Sequence, residues 1–590
     1  MYYDPFVLPF TLGMFALLIY LAVTYIRWIR SFPPRDRRTI RKNILSRKTL
    51  KAGKEIFMEC LVHHKIFRTH PFLGYMHMCF GLGWFLLIVI GKIESVTYHP
   101  SWTNPPYYAI FFRFFHPAGA DFPGSRVFAF LMDLVLLTIL SGLLLAWLKR
   151  LYSRLLGMRR TTNHRPFDRL ILTTLWLIFP LRFLAESFTA ALRGGGGFLT
   201  QSAGELLSRF LPVDQLFYPA WWAYSSTLGL FFVLLPFSRY MHIPTEMVYI
   251  LLKNWGIRQG DTFNAFSRFQ LYACSRCGIC LDRCQLGSVL NIRDTQPVYF
   301  LRKIRHGQDH STADNNCLLC GRCEEACPVD LRLNALRLTQ RPDRSHITKE
   351  TYAYIPTPVP SLSRTRVAYF AGCMGQLTPG VTRSMCALFD KAGIDYTFID
   401  EQGGICCGRP MLLSGNRGTA SVLMAKNKAA IQASGAELLV TSCPICYKTF
   451  KENYGLDIPV LHHSEYISRL IEARLLQPRR SDLKTVFHSP CELGRGSGVY
   501  AAPKAVLHAV SHLQDTALDD HRSLCCGGSL ANTVITPEQR TALAKNTLDT
   551  YLAYRPDLLV TACPLCKKTF GKNDTPVPVK DLAEIVAENC

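Results

Sequence analysis

The stretch LLVTSCPICYKTF (residues 438–450) returns as LLVTACPLCKKTF (residues 558–570), and each copy holds two cysteines in a C-P-x-C arrangement. The repetition extends upstream. GGICCGRP, with Cys406 and Cys407, is matched by RSLCCGGS, with Cys525 and Cys526. RVAYFAGC, ending at Cys373, is matched by KTVFHSPC, ending at Cys491. The copies are offset by 118 residues at the first cysteine, 119 at the pair and 120 at the last motif, so a whole unit is duplicated. Each unit supplies five cysteines in the order C, CC, CxxC: Cys373, Cys406, Cys407, Cys443 and Cys446, then Cys491, Cys525, Cys526, Cys563 and Cys566. The apolar runs VAYF, ELLV, TVF and DLLV end just before Cys373, Cys443, Cys491 and Cys563 and read as strands. Cysteines at the ends of two such strands can converge on one site.

Twenty of the 22 cysteines fall in the last 320 residues. Adjacent cysteines and CxxC spacings at that density suit metal thiolates better than a disulfide framework, which predicts a reducing compartment. The first 250 residues differ in kind. Apolar runs at 5–27, 72–93, 126–147, 170–192 and 218–240 are long enough to be transmembrane helices. The first is too long for a cleavable signal and ends in a basic run. Loop 27–54 carries eleven Lys/Arg and loop 148–169 seven, against two each in loops 94–126 and 193–217. That asymmetry predicts an N-terminus outside, both basic loops inside, and everything after about residue 241 in the cytoplasm, at the inner membrane. It also accounts for much of the net charge of +24, as contact with anionic lipid. Without a nucleic-acid fold or basic–aromatic interleaving, the charge implies no nucleic-acid partner.

Between these halves, CSRCGICLDRC places Cys274, Cys277, Cys280 and Cys284 in the run C-x2-C-x2-C-x3-C, and CLLCGRCEEACP repeats it with Cys317, Cys320, Cys323 and Cys327. This is the bacterial ferredoxin spacing for two cubane [4Fe-4S] clusters, in which the fourth cysteine of each run ligates the other cluster. One cluster is expected on Cys274, Cys277, Cys280 and Cys327, the other on Cys317, Cys320, Cys323 and Cys284. Structural zinc would ask for four cysteines per ion in pairs, which two complete runs do not suggest. The first run ends Cys284-Gln285 where Cys-Pro is the usual pairing.

Histidines His63, His64, His70, His77 and His242 lie in or near the apolar runs. A histidine at a helix end is commonly an interfacial polar residue. His77 sits inside the second run, where an ionisable group is costly and functional by default. With His242 just after the fifth run, it is the economical pair for a b-type haem towards the cytoplasmic face. Arg182 and Glu186, one turn apart in the fourth run, are either a proton or quinone site or a packing clamp.

Assembled, the parts resemble a known architecture. The N-terminal portion looks like the cytochrome b subunit of respiratory nitrate reductase, and the remainder is similar to the catalytic subunit of membrane-bound heterodisulfide reductase. The fusion resembles the membrane-bound electron-transfer flavoprotein:menaquinone oxidoreductases, also described as heterodisulfide-reductase-like iron–sulfur proteins. The resemblance implies that each five-cysteine set holds a noncubane [4Fe-4S] cluster at the ends of short strands in an α/β unit. The nitrate-reductase-type cytochrome has two haems, but the positions of the outer pair of histidines are here Leu87 and Tyr224. Ten residues of helix is about 15 Å, a workable haem separation, so both ligands of one haem are missing together and one haem b is expected.

The expected architecture is therefore multi-domain. It comprises a five-helix transmembrane cytochrome b domain (1–250), an α-helical two-cluster ferredoxin-type domain (251–345), a linker (346–363) and two α/β CCG domains (364–480 and 481–590). The order of parts predicts an oxidoreductase relaying electrons between a soluble carrier, electron-transfer flavoprotein, and menaquinone. The alternative is a thiol–disulfide oxidoreductase coupled to the quinone pool. A scaffold or sensor without turnover fits poorly with a fused membrane haem domain.

Overall fold

The computed structural model describes residues 3–99, 104–115, 122–151, 165–341, 365–403, 405–518 and 520–590. The expected linker lies outside the described residues. The chain divides into two compact units, Met1–Gly278 and Ile279–Cys590.

Five helices in the first unit are long and apolar enough to cross a membrane: α1 (Leu8–Arg30), α2 (Pro71–Tyr98), α3 (Ser125–Leu151), α4 (Pro166–Arg193) and α5 (Val213–Leu234). They fall on the five runs read from the sequence. Outward-facing Leu12, Phe15, Leu18 and Ile19 are exposed on α1, an arrangement that hydrocarbon tolerates and water does not. α1 packs closely on α5, because a Cβ at Gly13 would lie 2.5 Å from the Gly229 carbonyl oxygen. Small residues at a helix crossing allow that approach in lipid. The interior between them is aromatic: Phe6 meets Phe114 edge to face at 4.5 Å, and Phe111 meets Trp221 at 5.8 Å. The basic segment after α1 folds as two short helices, Pro34–Asn43 and Arg47–Ile56. Beyond α5 the chain passes through two 3-10 turns, broken at Ser238, whose backbone is extended and whose hydroxyl accepts from Tyr240 N. α6 (His242–Asn254) then starts at His242 itself.

In the second unit, short helices from Ile279–Arg283 to Leu333–Leu338 carry the ferredoxin-like part. Two parallel sheets follow. β1 (Val367–Phe370), β2 (Tyr396–Phe398), β3 (Leu438–Thr441) and β4 (Val460–His462) stand in the order β2-β1-β3-β4. β5 (Lys484–His488), β6 (His512–Leu513), β7 (Leu558–Thr561) and β8 (Val579–Asp581) repeat it as β6-β5-β7-β8. The central strands share a register: Phe370 pairs with Thr441, and His488 with Thr561. Near-continuous burial of VAYF and LLVT is what sheets covered on both faces require. Both central strands therefore end at one edge, and the cysteine motifs begin there.

Candidate metal centre

Each five-cysteine set is assembled at the C-terminal edge of its own sheet, where open parallel sheets present ligands. Cys373 lies in the turn of helix that follows β1. Cys443 caps α7 (Pro444–Asn453), with Cys446 in its first turn, and Cys563 and Cys566 stand likewise at α8 (Pro564–Phe570). Proline at the first helical position needs no hydrogen-bond donor there, and the helix N-terminus favours a thiolate. The CC pairs come from loops that turn through Gly408 and Gly527, both at φ +86°, a left-handed backbone that suits glycine. A Cβ at Gly527 would also meet the Arg540 carbonyl oxygen at 2.9 Å.

The thiols touch in an unbroken chain. Side-chain hydrogen bonds link Cys373 to Cys406, Cys406 to Cys407, Cys407 to Cys446 and Cys446 to Cys443. The second set repeats the pattern as Cys491–Cys525–Cys526–Cys566–Cys563. In each chain the second cysteine of the CC pair is the acidic one. Hydrogen bonds from Cys525 and Cys566 bring Cys526 down to about 5. Those from Cys406 and Cys446 hold Cys407 well below the usual thiol range. Hydrogen bonds with Cys407 and Cys443 raise Cys446, and those with Cys526 and Cys563 raise Cys566, with burial adding to both. Five buried or half-buried soft donors in mutual contact fit an iron–sulfur cluster, whose binding releases the remaining thiol protons.

The second set has further neighbours. A cavity of about 40 Å³ is lined by all five of its cysteines, with Leu318, Leu413 and Ile445 in its wall. Glu492, next to Cys491, faces Lys448 at 3.4 Å and Arg409 at 3.8 Å; although burial opposes it, these cations hold its carboxyl below the usual range. Gln285, the residue that replaces proline in the first ferredoxin run, is buried against Cys525. Its Oε1 accepts from Cys525 N at 2.7 Å, and its Nε2 donates to Cys525 O at 3.4 Å and Thr547 Oγ1 at 3.3 Å. One peptide bond thus separates Cys284 from the residue whose side chain grips the backbone of Cys525. Arg495 adds a second tie, donating from Nε to Cys320 O at 2.8 Å.

Cys323 lies within electrostatic reach of Cys280, Cys284, Cys317 and Cys320, and burial is the main cause of its raised thiol. Burial likewise raises Cys284 to about 11, beside Cys317 and Cys320. In the first unit, Cys274 follows the helix Ala265–Ala273 and lies near Cys277. Cys327 ends the second run and bonds its N–H to Glu324 O.

Three of the candidate histidines gather in the first unit. His77 lies within electrostatic reach of His63 and His242. The His63 and His77 rings lie 5.3 Å apart at 33°. His242 Nδ1 is bonded to Arg239 O at 2.8 Å, which orients the ring. His63 reaches His77 because it takes a left-handed backbone, φ +57°, after a short π-helical turn. His64 opens the next short helix and His70 precedes α2. Arg182 and Glu186 form a buried pair, Nε to Oε1 at 3.0 Å. Arg113 joins them, 3.8 Å from Glu186 and 3.2 Å from Asp133. Tyr224, where the resemblance asks for a histidine, hydrogen-bonds Arg182, and Leu87 is buried among apolar side chains.

The cysteine-rich domain family matches residues 367–451 and again 485–571, and the 4Fe-4S dicluster domain matches residues 270–331. Among curated proteins, the chain is 27% identical to one subunit of the dihydromethanophenazine:CoB–CoM heterodisulfide reductase of Methanosarcina barkeri, over 41% of this chain and 63% of that one. The chain is thus similar to the heterodisulfide-reductase-like iron–sulfur oxidoreductases. Two longer matches extend over more of it. One is a probable iron–sulfur-binding oxidoreductase, FadF, of Bacillus subtilis, at 22% identity over 63% of this chain and 70% of that one. The other is the EtfAB:quinone oxidoreductase of Syntrophomonas wolfei, at 22% identity over 59% and 63%. The matched part spans 56 to 63% of the length of the first relatives.

Proposed function

We propose that this protein relays electrons between electron-transfer flavoprotein and menaquinone at the inner membrane, with its cysteine-rich part in the cytoplasm. The observation that carries the reading is the continuity of cysteine sites within one compact unit. Cys284 of the ferredoxin-like part is tied through Gln285 to Cys525, and Cys563 of the second site lies within electrostatic reach of Cys443 of the first. The two ferredoxin sets would hold cubane clusters, the two five-cysteine sets noncubane clusters, and His77 with His242 one haem b. When bound, these groups supply one-electron carriage at spaced potentials. The chain's own residues set the order of the sites and bury seven of the ten cysteines in the two five-cysteine sets away from water. The Arg182–Glu186 pair, with Tyr224 and Arg113, is the proposed proton-handling or quinone site. The five membrane-length helices and the similarity to a quinone oxidoreductase support menaquinone as the membrane partner.

The similarity to a heterodisulfide reductase favours a second reading, in which a disulfide takes two electrons and two protons at the paired cysteine sites to give two thiols. Membranes containing the protein separate the two. Reduced electron-transfer flavoprotein should reduce the haem, and a menaquinone analogue should reoxidise it. Oxidation of the reduced haem by disulfides, with no response to the flavoprotein, would replace the first reading by the second.

A further inference from the structure

His488 ends β5 where its copy, Phe370, ends β1, opposite the equivalent threonine of the neighbouring strand. The two rings are packed alike. Phe370 meets Phe450 edge to face with centroids 4.9 Å apart, and His488 meets Phe570 edge to face at 4.8 Å. Tyr551 holds the other side of the imidazole at 5.8 Å, also edge to face. Phenylalanine therefore satisfies the packing at this position, and histidine contributes two polar nitrogens in its place. Among the described residues neither nitrogen has a hydrogen-bond partner, and His488 is 1% exposed. Burying such groups unpaired is costly, so both orphan atoms in a folded core point to a missing partner. A ring nitrogen also lies within 4.8 Å of Cys526 Sγ and Cys566 Sγ.

We propose that His488 donates a hydrogen bond from a ring N–H to a sulfur of the cluster held by the second five-cysteine set, so that the two duplicated sites differ in potential. Five cysteines already supply the ligands, and the first site completes the same set with no imidazole. An imidazole carries at least one ring N–H in either protonation state, so a proton is available for donation. A donor to cluster sulfur stabilises the more negative, reduced state and raises the potential. His488 is a positioning and tuning residue here, acting on the cluster through its sulfur. The proposal rests on the second set holding an iron–sulfur cluster, a premise that iron and sulfide analysis of the unaltered protein tests by itself.

The full chain, labelled with 15N-histidine and purified anaerobically, should show a weak 15N coupling by pulsed EPR at the field position of the second cluster. His488→Phe, which copies the first unit's own ring, should keep the iron content, abolish that coupling and shift the second cluster's midpoint potential to more negative values. Phe370→His should move the first cluster in the opposite direction. No 15N coupling in the unaltered chain would overturn the proposal without recourse to any variant. An unchanged potential in a His488→Phe protein with full iron would do the same. Loss of iron from that variant would make His488 a ligand and also overturn the donor role.

Discussion

In the first cysteine-rich unit, the backbone of the CC pair is held by the unit itself: Asn427 donates to Cys406 O at 2.9 Å and Tyr454 to Cys407 O at 3.0 Å. In the second unit Thr547 stands in the place of Asn427 and reaches Cys525 O at 2.8 Å. The remaining support comes from Gln285, in the ferredoxin-like part. Cys373 and Cys406 of the first set are half-buried, whereas in the second only Cys491 is. Duplication copied the sheet, its register and the ligand spacing. The copies differ in the residues that hold the CC backbone: in the first unit they come from the unit itself, in the second partly from the ferredoxin-like part.

If the second site is the link and the first the outer terminus, equivalent lesions should have unequal consequences. Cys526→Ser should remove about one cluster's worth of iron and stop transfer between flavoprotein and haem, leaving the haem spectrum intact. Cys407→Ser should remove similar iron yet leave the second site reducible from the quinone side. Iron and sulfide per chain, with EPR of each variant, separates these outcomes. Gln285→Leu should be milder. It strands the buried Cys525 N–H, which costs about 1–3 kcal/mol, and thermal unfolding in detergent should show a lower midpoint with normal iron content. Another replacement, Gln285→Glu, should be similarly costly, because it keeps the acceptor for Cys525 N but loses the donor to Cys525 O and Thr547 Oγ1 and buries a charge. Glu492→Gln keeps the side-chain shape but removes the counter-charge of the largely buried Arg409 and Lys448, and should also lower stability. Limited proteolysis between the two cysteine-rich units should report it as an increase in cleavage rate.

Features written in local spacing were legible in the sequence. The ferredoxin runs, the strand-then-cysteine motifs and the five apolar runs each fix their structure within a few turns of chain, and the duplication doubled the signal for the α/β units. Gln285 was visible only as a missing proline, because its role depends on Cys525, 240 residues away. His63 read as an interfacial residue, since nothing in its neighbourhood signals the left-handed backbone that brings its ring to His77. His488 was present in the repeat as the copy of Phe370, but only the shared register and the placement of Cys526 and Cys566 give the substitution chemical meaning. Arg182 and Glu186 were legible as a helical pair, whereas Arg113 and Asp133, which complete their network, come from elsewhere in the sequence.

Rapid-freeze EPR of the full chain mixed with reduced electron-transfer flavoprotein tests the order of the sites most directly, using Cys407→Ser to identify the signal of the first site. The first five-cysteine site should become reduced before the second, the second before the ferredoxin-like sites, and the haem last, with Cys526→Ser halting the sequence after the first site. Reduction of the second or the ferredoxin-like sites ahead of the first, or an undiminished flow to the haem in Cys526→Ser, would contradict it.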